Sequence, residues 1–219
     1  MATRHVLTEL GDAYRRRHGK GVSIEAVGGV DVIRRVQQGE PFDFVALADD
    51  AIGKLALDGQ VDANTRTPLA RSGVAVAVAA GASRPDIGDE SALRNAVLRA
   101  RSIGYSTGPS GAHLKRLFER WGIAEAIAPR IVQAAPGVPV ASLVVRGEVE
   151  LGFQQLSEMI HVPGIDVIGP LPLAVQALTL FSAAVCNTST QADATKALLA
   201  FLASAETQGP KRRHGMEPA

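Results

Sequence analysis

Small polar residues and glycines gather where strand-like segments of this chain give way to helix-like ones. The richest cluster lies in YSTGPSGAHLKRLFERW, residues 105–121, and comprises Ser106, Thr107, Gly108, Ser110 and Gly111. The first N–H groups of a helix have no partner within it, and the helix dipole favours negative charge there. Two interpretations stay open: Ser110 is the N-cap of a structural helix, or this corner binds an anion.

Three further corners have the same strand-to-helix character. They are Gly28–Gly29 in AVGGVD, Gly137–Val138 in APGVPV, and Gln154–Gln155 in GFQQLSE. In open α/β sheets, ligands bind beyond the carboxyl ends of the strands, where such corners meet. We therefore predict that the four corners share one cleft. The two glutamine side chains face opposite ways on a strand, so we expect one to reach into the cleft; the alternative is that both face solvent.

Two residues at the start of the first helix, Thr3 and Arg4, complete the predicted binding set. A cation at a helix N-terminus opposes the dipole. A ligand or a carboxylate partner would explain Arg4, and a solvated arginine is the alternative.

Other kinds of chemistry are disfavoured by the spacing of residues. GPSGAHLK lacks the order of a P-loop, no G-x-G-x-x-G is present, and GPSGA misses the nucleophile elbow at its last residue. The five histidines show no paired spacing, so we expect no protein-built metal site and no cofactor.

Composition narrows the class of protein further. The chain has 219 residues, 46% of them hydrophobic, and a formal net charge of +1, which gives no reason to expect nucleic acid as a partner. No apolar window is long enough to span a bilayer, so membrane insertion is not expected. The N-terminus lacks the apolar region of a signal peptide, which predicts a cytoplasmic protein as written, or a periplasmic one if the true start lies upstream.

The alternation of strand-like and helix-like segments predicts an α/β fold with mostly parallel sheets. It begins with a helix over 5–19, a strand in GVSIEAVGG and a helix over 31–41. The two longest β runs bracket a block with its own βα units. We therefore predict two lobes: 1–72 with 187–219, and 81–171, joined by crossovers at 73–80 and 172–186.

Several stretches together carry a family resemblance over nearly the whole chain: GGVDVIRRVQQGEPFDFVALADDAIGKLALDGQV, SGVAVAVAAGA, GYSTGPSGAHLKRLFERWGI, PGVPVASLVVRGEVELGFQQLSE and ALLAFLASAETQGPKRRHGMEP. The chain resembles the molybdate-binding-protein-like branch of periplasmic solute-binding proteins, which have the two-lobed type II architecture. The resemblance implies a small anionic ligand in an interlobe cleft and an ABC-transporter permease as partner.

Carried onto this sequence, the family's ligand loops fall on Gly28–Gly29, Ser106–Gly111 and Gly137–Val138, and its strand-end tyrosine falls on Gln155. Molybdate binders of the family have a serine in the first of these loops. The glycines and the glutamine found here favour an organic acid anion over molybdate. The family also begins with a strand that is missing before Met1, and its loss would leave strand edges unpaired.

Three functions follow as hypotheses. The first is a binding protein whose two lobes close over a small oxyanion or carboxylate. The second, implied by relatives that resemble aconitate isomerase, is an isomerase of a tricarboxylate, which needs a base near a ligand carbon. Candidate bases are Asp31, Asp49, His113 and Glu158. The third is a cytosolic ligand sensor.

Overall fold

The computed structural model describes all 219 residues and contains ten α-helices and eight strands. The helices, in chain order, are α1 Arg4–His18, α2 Gly29–Gln37, α3 Asp49–Leu57, α4 Glu90–Arg99, α5 Pro109–Arg120, α6 Ala124–Ile127, α7 Val140–Val145, α8 Leu156–Met159, α9 Ala192–Ala203 and α10 Gln208–Arg213. The strands are β1 Phe44–Ala48, β2 Thr67–Ala79, β3 Ile103–Tyr105, β4 Ile131–Gln133, β5 Leu151–Gln155, β6 Ile165–Pro170, β7 Leu178–Val185 and β8 Glu217–Pro218. This order confirms the predicted α/β class.

The chain forms two compact units. Unit 1 comprises Met1–Ser72 and Thr179–Ala219, and unit 2 comprises Gly73–Leu178. The chain leaves unit 1 within β2 and returns to it within β7.

In unit 1 the sheet runs in the order β1-β7-β2-β8, and β1 pairs with β7 in antiparallel register from Phe44↔Val185 to Ala48↔Phe181. Helices pack on both faces of β1. On one face, α1 and α9 contribute Leu7, Leu10 and Leu198 to a buried cluster. On the other face, Ile52 and Leu55 of α3 pack in a second cluster with Val45 and Leu47.

In unit 2 the sheet runs in the order β6-β2-β5-β3-β4. Strands β3, β4 and β5 are parallel to one another, whereas β2 is antiparallel to both β5 and β6. The pairing is thus mixed rather than mostly parallel, because β2 enters unit 2 against the direction of the βα units. Val74, Val76 and Val78 of β2 lie in the main buried cluster, as a strand covered by helices requires.

Local sequence explains where the helices begin and end. Helix α5 begins with Pro109, whose missing N–H costs nothing at that position, and it buries Leu114, Leu117 and Phe118 at helical spacing. Helix α1 ends at Gly19, which adopts a left-handed φ of 69° and donates its N–H to Arg15 O.

One predicted element differs in the structure. The segment GVSIEAVGG belongs to no strand: residues 19–28 pair with no neighbour, and Gly29 already begins α2. A strand requires backbone hydrogen bonds to a neighbouring strand, and this segment makes none. KRRHG lies in and just after α10, a helix separate from α9.

None of the helices combines the length and the apolar character that crossing a membrane would require.

Candidate functional site

Three of the four predicted corners lie at one edge of the unit 2 sheet. Tyr105 at the end of β3 is in register with Gln133 of β4 and Phe153 of β5, and all three strands run in the same direction. Ser106 and Ala134 follow β3 and β4 directly, and Gln154–Gln155 are the last two residues of β5. The corners Ser106–Gly111, Gly137–Val138 and Gln154–Gln155 therefore lie at the carboxyl ends of neighbouring parallel strands, where α/β proteins bind ligands.

The N-cap of α5 is Gly108, not Ser110 as the sequence indicated. Gly108 has an extended backbone and offers no side chain to the first turn, in which no acidic residue occurs. Because Pro109 takes the first helical position, Ser110 becomes the second residue of the helix. The first backbone N–H groups of α5 are thus left without a side-chain cap and with the favourable end of the dipole.

Two hydroxyl groups lie beside this helix start. Ser106 Oγ is 3.2 Å from Ser110 Oγ, and it accepts the N–H of Gly108 at 3.3 Å. Ser106 is half-buried, Ser110 is buried and Thr107 is exposed. If Ser110 donates to Ser106, the Ser106 hydroxyl keeps its own proton for an external acceptor.

Gly111 explains how the helix comes so close to the strand end. A Cβ on Gly111 would lie 1.7 Å from the carbonyl oxygen of Ser106 and 3.1 Å from the ring of Tyr105. Only a glycine fits there, so this residue has a packing role whether or not a ligand binds.

Gln154 is committed to the protein itself. Its Oε1 accepts the N–H groups of Val140 at 2.9 Å and Ala141 at 3.4 Å, and its Nε2 donates to Glu158 at 2.7 Å. Gln154 therefore caps the short helix α7 from a neighbouring strand. No local pattern in the sequence indicates this role, because Gln154 lies 14 residues after Val140 and only the fold brings the two together. Gln155, also buried, stays in the predicted binding set.

Of the four candidate bases, Glu158 in α8 is the one whose pKa is raised. Burial raises the pKa of its carboxyl group above the ordinary value. His113 in α5 has its Nε2 2.8 Å from the carbonyl oxygen of Val175. This contact favours a proton on Nε2, since a carbonyl oxygen only accepts.

The other two candidate bases, both in unit 1, have structural partners. Asp49 accepts from Arg66 Nε and from Ser182 Oγ, each at 2.7 Å, and the Arg66 hydrogen bond holds the pKa of this carboxyl below its usual value. Asp31 pairs with Arg34 one turn later in α2, with 3.0 Å between Oδ1 and Nη2. Across the 219 residues, no three His, Cys, Asp or Glu side chains are grouped as metal ligands would be.

The remaining predicted residues, also in unit 1, lie at helix starts. Thr3 is the buried N-cap residue of α1, where it makes no capping hydrogen bond, and Arg4 follows it on the exposed side. Gly28 is the N-cap of α2 and Gly29 its first residue. The prediction that this corner shares a cleft with those of unit 2 stays a prediction.

The two large cavities within single units lie elsewhere. One of about 650 Å³ in unit 1 lies between α1, α2, β1 and residues 20–27, and Thr3 and Arg4 are at its border. The other, of about 500 Å³, is at the opposite edge of the unit 2 sheet, near Ala100 and Glu150. Neither is lined by Ser106–Gly111. The candidate site is therefore identified by its hydrogen-bond donors at the start of α5 and not by the volume of a cavity.

Comparisons with known proteins agree on the family and on the fold. A family model described as bacterial extracellular solute-binding protein matches residues 1–217. An aconitate isomerase from a Pseudomonas species is 35% identical over 218 residues, which are 97% of this chain and 83% of that protein.

Two solved structures show the same fold at low identity. The periplasmic molybdate-binding protein of Azotobacter vinelandii superposes with a TM-score of 0.82 at 18% identity, over 98% of this chain and 95% of its own. The periplasmic binding protein AfuA of Actinobacillus pleuropneumoniae, bound to fructose-6-phosphate, gives 0.74 at 13% identity, over 99% and 82%.

The match runs from the first helix to the last strand, so it includes both units and all four corners. The resemblance noted in the sequence is therefore confirmed, and the chain belongs to the family of bacterial extracellular solute-binding proteins.

Proposed function

We propose that this chain binds a small carboxylate anion at the corner formed by Ser106–Gly111. The observation that carries the proposal is the start of α5: a twelve-residue helix without side-chain cap or acidic first turn, flanked by the hydroxyls of Ser106 and Ser110. Such a helix start supplies N–H donors and positive potential to an anion.

The donors suit a carboxylate because they are neutral. The Ser106 hydroxyl and the first N–H groups of α5 form charge-assisted hydrogen bonds to a carboxylate oxygen without requiring a buried counter-charge. The ligand class is supported by the 35% identical relative, which is an aconitate isomerase and thus acts on a tricarboxylate. The proposed ligand contacts are completed by Gly137, Val138 and Gln155 of the same unit.

The family also supports a cellular role. A solute-binding protein of the extracellular family works outside the cytoplasmic membrane and delivers its ligand to the permease of an ABC transporter. Both the location and the permease are part of this proposal.

The test is calorimetric titration of the purified chain with trans-aconitate, cis-aconitate, citrate, molybdate and sulfate. We expect binding of at least one tricarboxylate. Ser106→Ala should weaken it about tenfold, the effect of losing a hydrogen bond to a charged group. Ser110→Ala should weaken it less, because Ser110 acts through Ser106.

Ser91→Ala is the matched control. Ser91 is likewise the second residue of its helix, α4, but it is exposed, and the Asp89 side chain already accepts the N–H of Ala92 at 2.8 Å. This variant should bind as the unmodified chain does. If Ser106→Ala and Ser91→Ala bind equally well, the start of α5 is only a structural corner.

Catalysis is the second candidate, favoured by the isomerase relative. Isomerising aconitate removes a proton from one carbon and returns one to another, so it needs a base and an acid but no oxidant. Glu158 suits such a role because burial raises the pKa of its carboxyl group above that of an exposed carboxyl. Interconversion of cis- and trans-aconitate, followed by proton NMR, decides between the two candidates. Tight binding of aconitate without its interconversion would show that the chain is a binding protein and not an isomerase.

A further inference from the structure

A buried amide in unit 2 connects the start of α7 with the carboxyl group of Glu158. Gln154, the last residue but one of β5, is 2% exposed. Its Oε1 faces the N–H groups of Val140 and Ala141, the first two residues of α7, and its Nε2 faces Glu158 in α8. The amide thus lies between two helices that follow different strands of one sheet.

The orientation of this amide is fixed by its neighbours. A backbone N–H can only donate, so the end of Gln154 that faces Val140 and Ala141 must be the oxygen. A flipped amide would set its NH2 group against two N–H groups, and these buried donors would lose their partner. The NH2 group of Gln154 therefore faces Glu158.

This amide in turn determines how Glu158 carries a proton. Nε2 of Gln154 only donates, so Glu158 Oε2, at 2.7 Å, must accept. A proton on Oε2 would place two donors against each other. When Glu158 is protonated, its proton therefore lies on Oε1, and when Glu158 is ionised, Oε1 is the oxygen that takes up a proton.

We propose that Gln154 is a positioning residue of the candidate site: by holding Oε2, it makes Oε1 the oxygen through which Glu158 exchanges a proton with a carbon of the ligand. This inference rests on the proposed function in its isomerase form. Glu158 is three residues beyond Gln155, the end of β5, and β5 ends beside β3, which leads into Ser106. Glu158 and Ser106 thus belong to the same edge of the unit 2 sheet.

The proton transfer that this arrangement serves is balanced. Ionised Glu158 takes a proton from the CH2 carbon of aconitate at Oε1, and the electron pair of that C–H bond forms the new double bond. The electron pair of the old double bond then binds a proton at the other end of the three-carbon unit, and Oε1 supplies that proton. Glu158 is then ionised again, and neither an oxidant nor a reductant is consumed.

The two ends of the Gln154 amide can be tested separately. Gln154→Glu keeps an oxygen toward Val140 and Ala141 but replaces the donor that faces Glu158 by a second oxygen. Gln154→Met is of similar length and removes both the acceptor and the donor without adding charge. A residue that only caps α7 is replaced by Gln154→Glu without consequence for Glu158, whereas a positioning residue is not.

The first test is infrared spectroscopy, which requires no turnover. The difference spectrum between the unmodified chain and Glu158→Gln isolates the C=O stretch of protonated Glu158. Because burial raises the pKa of this carboxyl group, it is protonated while exposed carboxyl groups are still ionised. An accepted hydrogen bond lowers the frequency of a C=O stretch, so we expect a higher frequency in Gln154→Met. The same frequency with and without Gln154 would overturn the proposal.

The second test is the rate of interconversion of cis- and trans-aconitate. Gln154→Met and Gln154→Glu should each lower kcat about tenfold or more, and Gln154→Met should change KM by less than about twofold, because the lost contact acts on proton transfer. The double variant Gln154→Glu with Glu158→Gln restores a donor and an acceptor with reversed polarity. It should recover unfolding free energy but not kcat, since no carboxyl group remains at position 158.

Gln133→Glu is the matched control. Gln133 ends β4, the neighbouring parallel strand, but it is exposed, so this variant adds the same charge at the same edge of the sheet and should keep kcat. Unchanged kcat in Gln154→Glu, or recovered kcat in the double variant, would overturn the proposal. If the unmodified chain interconverts no aconitate, the isomerase form of the proposed function is wrong, and the infrared band still decides whether Gln154 orients Glu158.

Discussion

At the scale of single residues, Lys211 is a lysine that the fold buries, although lysine side chains are normally exposed. Its side chain is buried in unit 1, and Nζ donates to Leu202 O at 2.7 Å. Thr207 Oγ1 donates to the same oxygen at 2.9 Å. Burial lowers the pKa of the Lys211 ammonium group to about 8, because its charge has no carboxylate partner.

Lys211→Met should therefore stabilise the protein. Above pH 10.5 lysine is neutral in the folded and unfolded states, and its burial carries no charge penalty. The penalty grows as the pH falls and is complete below the folded pKa of about 8. At pH 7 the gain should be about 2 kcal/mol, which is the pKa difference less one hydrogen bond.

Urea unfolding at pH 7 and above pH 10 measures this effect. Lys54→Met is the control, because Lys54 is exposed on α3 and its replacement should change stability by less than about 0.5 kcal/mol. A gain from Lys211→Met that is as large above pH 10 as at pH 7 would show that packing, not charge, is responsible.

At the scale of elements, the junction of β3 and α5 depends on a close approach of backbones. Gly111→Ala places a methyl group 1.7 Å from the Ser106 oxygen and 2.8 Å from the Ser106 carbonyl carbon, neither of which is a flexible side chain. Although alanine is the better helix former, this variant should lose about 3 kcal/mol of unfolding free energy through overpacking.

Gly11→Ala in α1 is the matched comparison. The nearest atom to its added methyl is Val22 Cβ at 3.6 Å, an ordinary van der Waals contact. It should be neutral or stabilising by up to about 1 kcal/mol. Denaturant unfolding compares the two variants. If Gly111→Ala is as stable as the unmodified chain, helix α5 is not held against the strand end.

Most elements could be predicted from the sequence because their signals are local. The run of valines and alanines in β2 indicates a strand by itself, and the spacing of Leu114, Leu117 and Phe118 indicates the helix α5 by itself. The segment 21–29 failed as a strand because a ladder needs a neighbour, which no local pattern reports. At the site, Pro109 decided the N-cap against Ser110, and the role of Gln154 depended on a helix more than ten residues away in sequence.

At the scale of the whole molecule, fold and family are shown and the ligand is proposed. The sequence was sufficient for the α/β class and the family, since both rest on features spread over nearly the whole chain. It was not sufficient for the ligand, because the candidate contacts are glycines, hydroxyls and backbone N–H groups, which any small anion can use. The proposal of a carboxylate ligand rests on the aconitate isomerase relative and on the start of α5.

The most direct test of that account is a titration of the isotope-labelled chain with trans-aconitate, followed by the backbone amide resonances. We expect saturable shifts of the amide resonances of Ser110, Gly111 and Ala112, the first amides of α5. Shifts confined to the cavity of unit 1, at residues 20–27 and 44–47, would contradict the proposed binding site. So would the absence of any shift with any tricarboxylate.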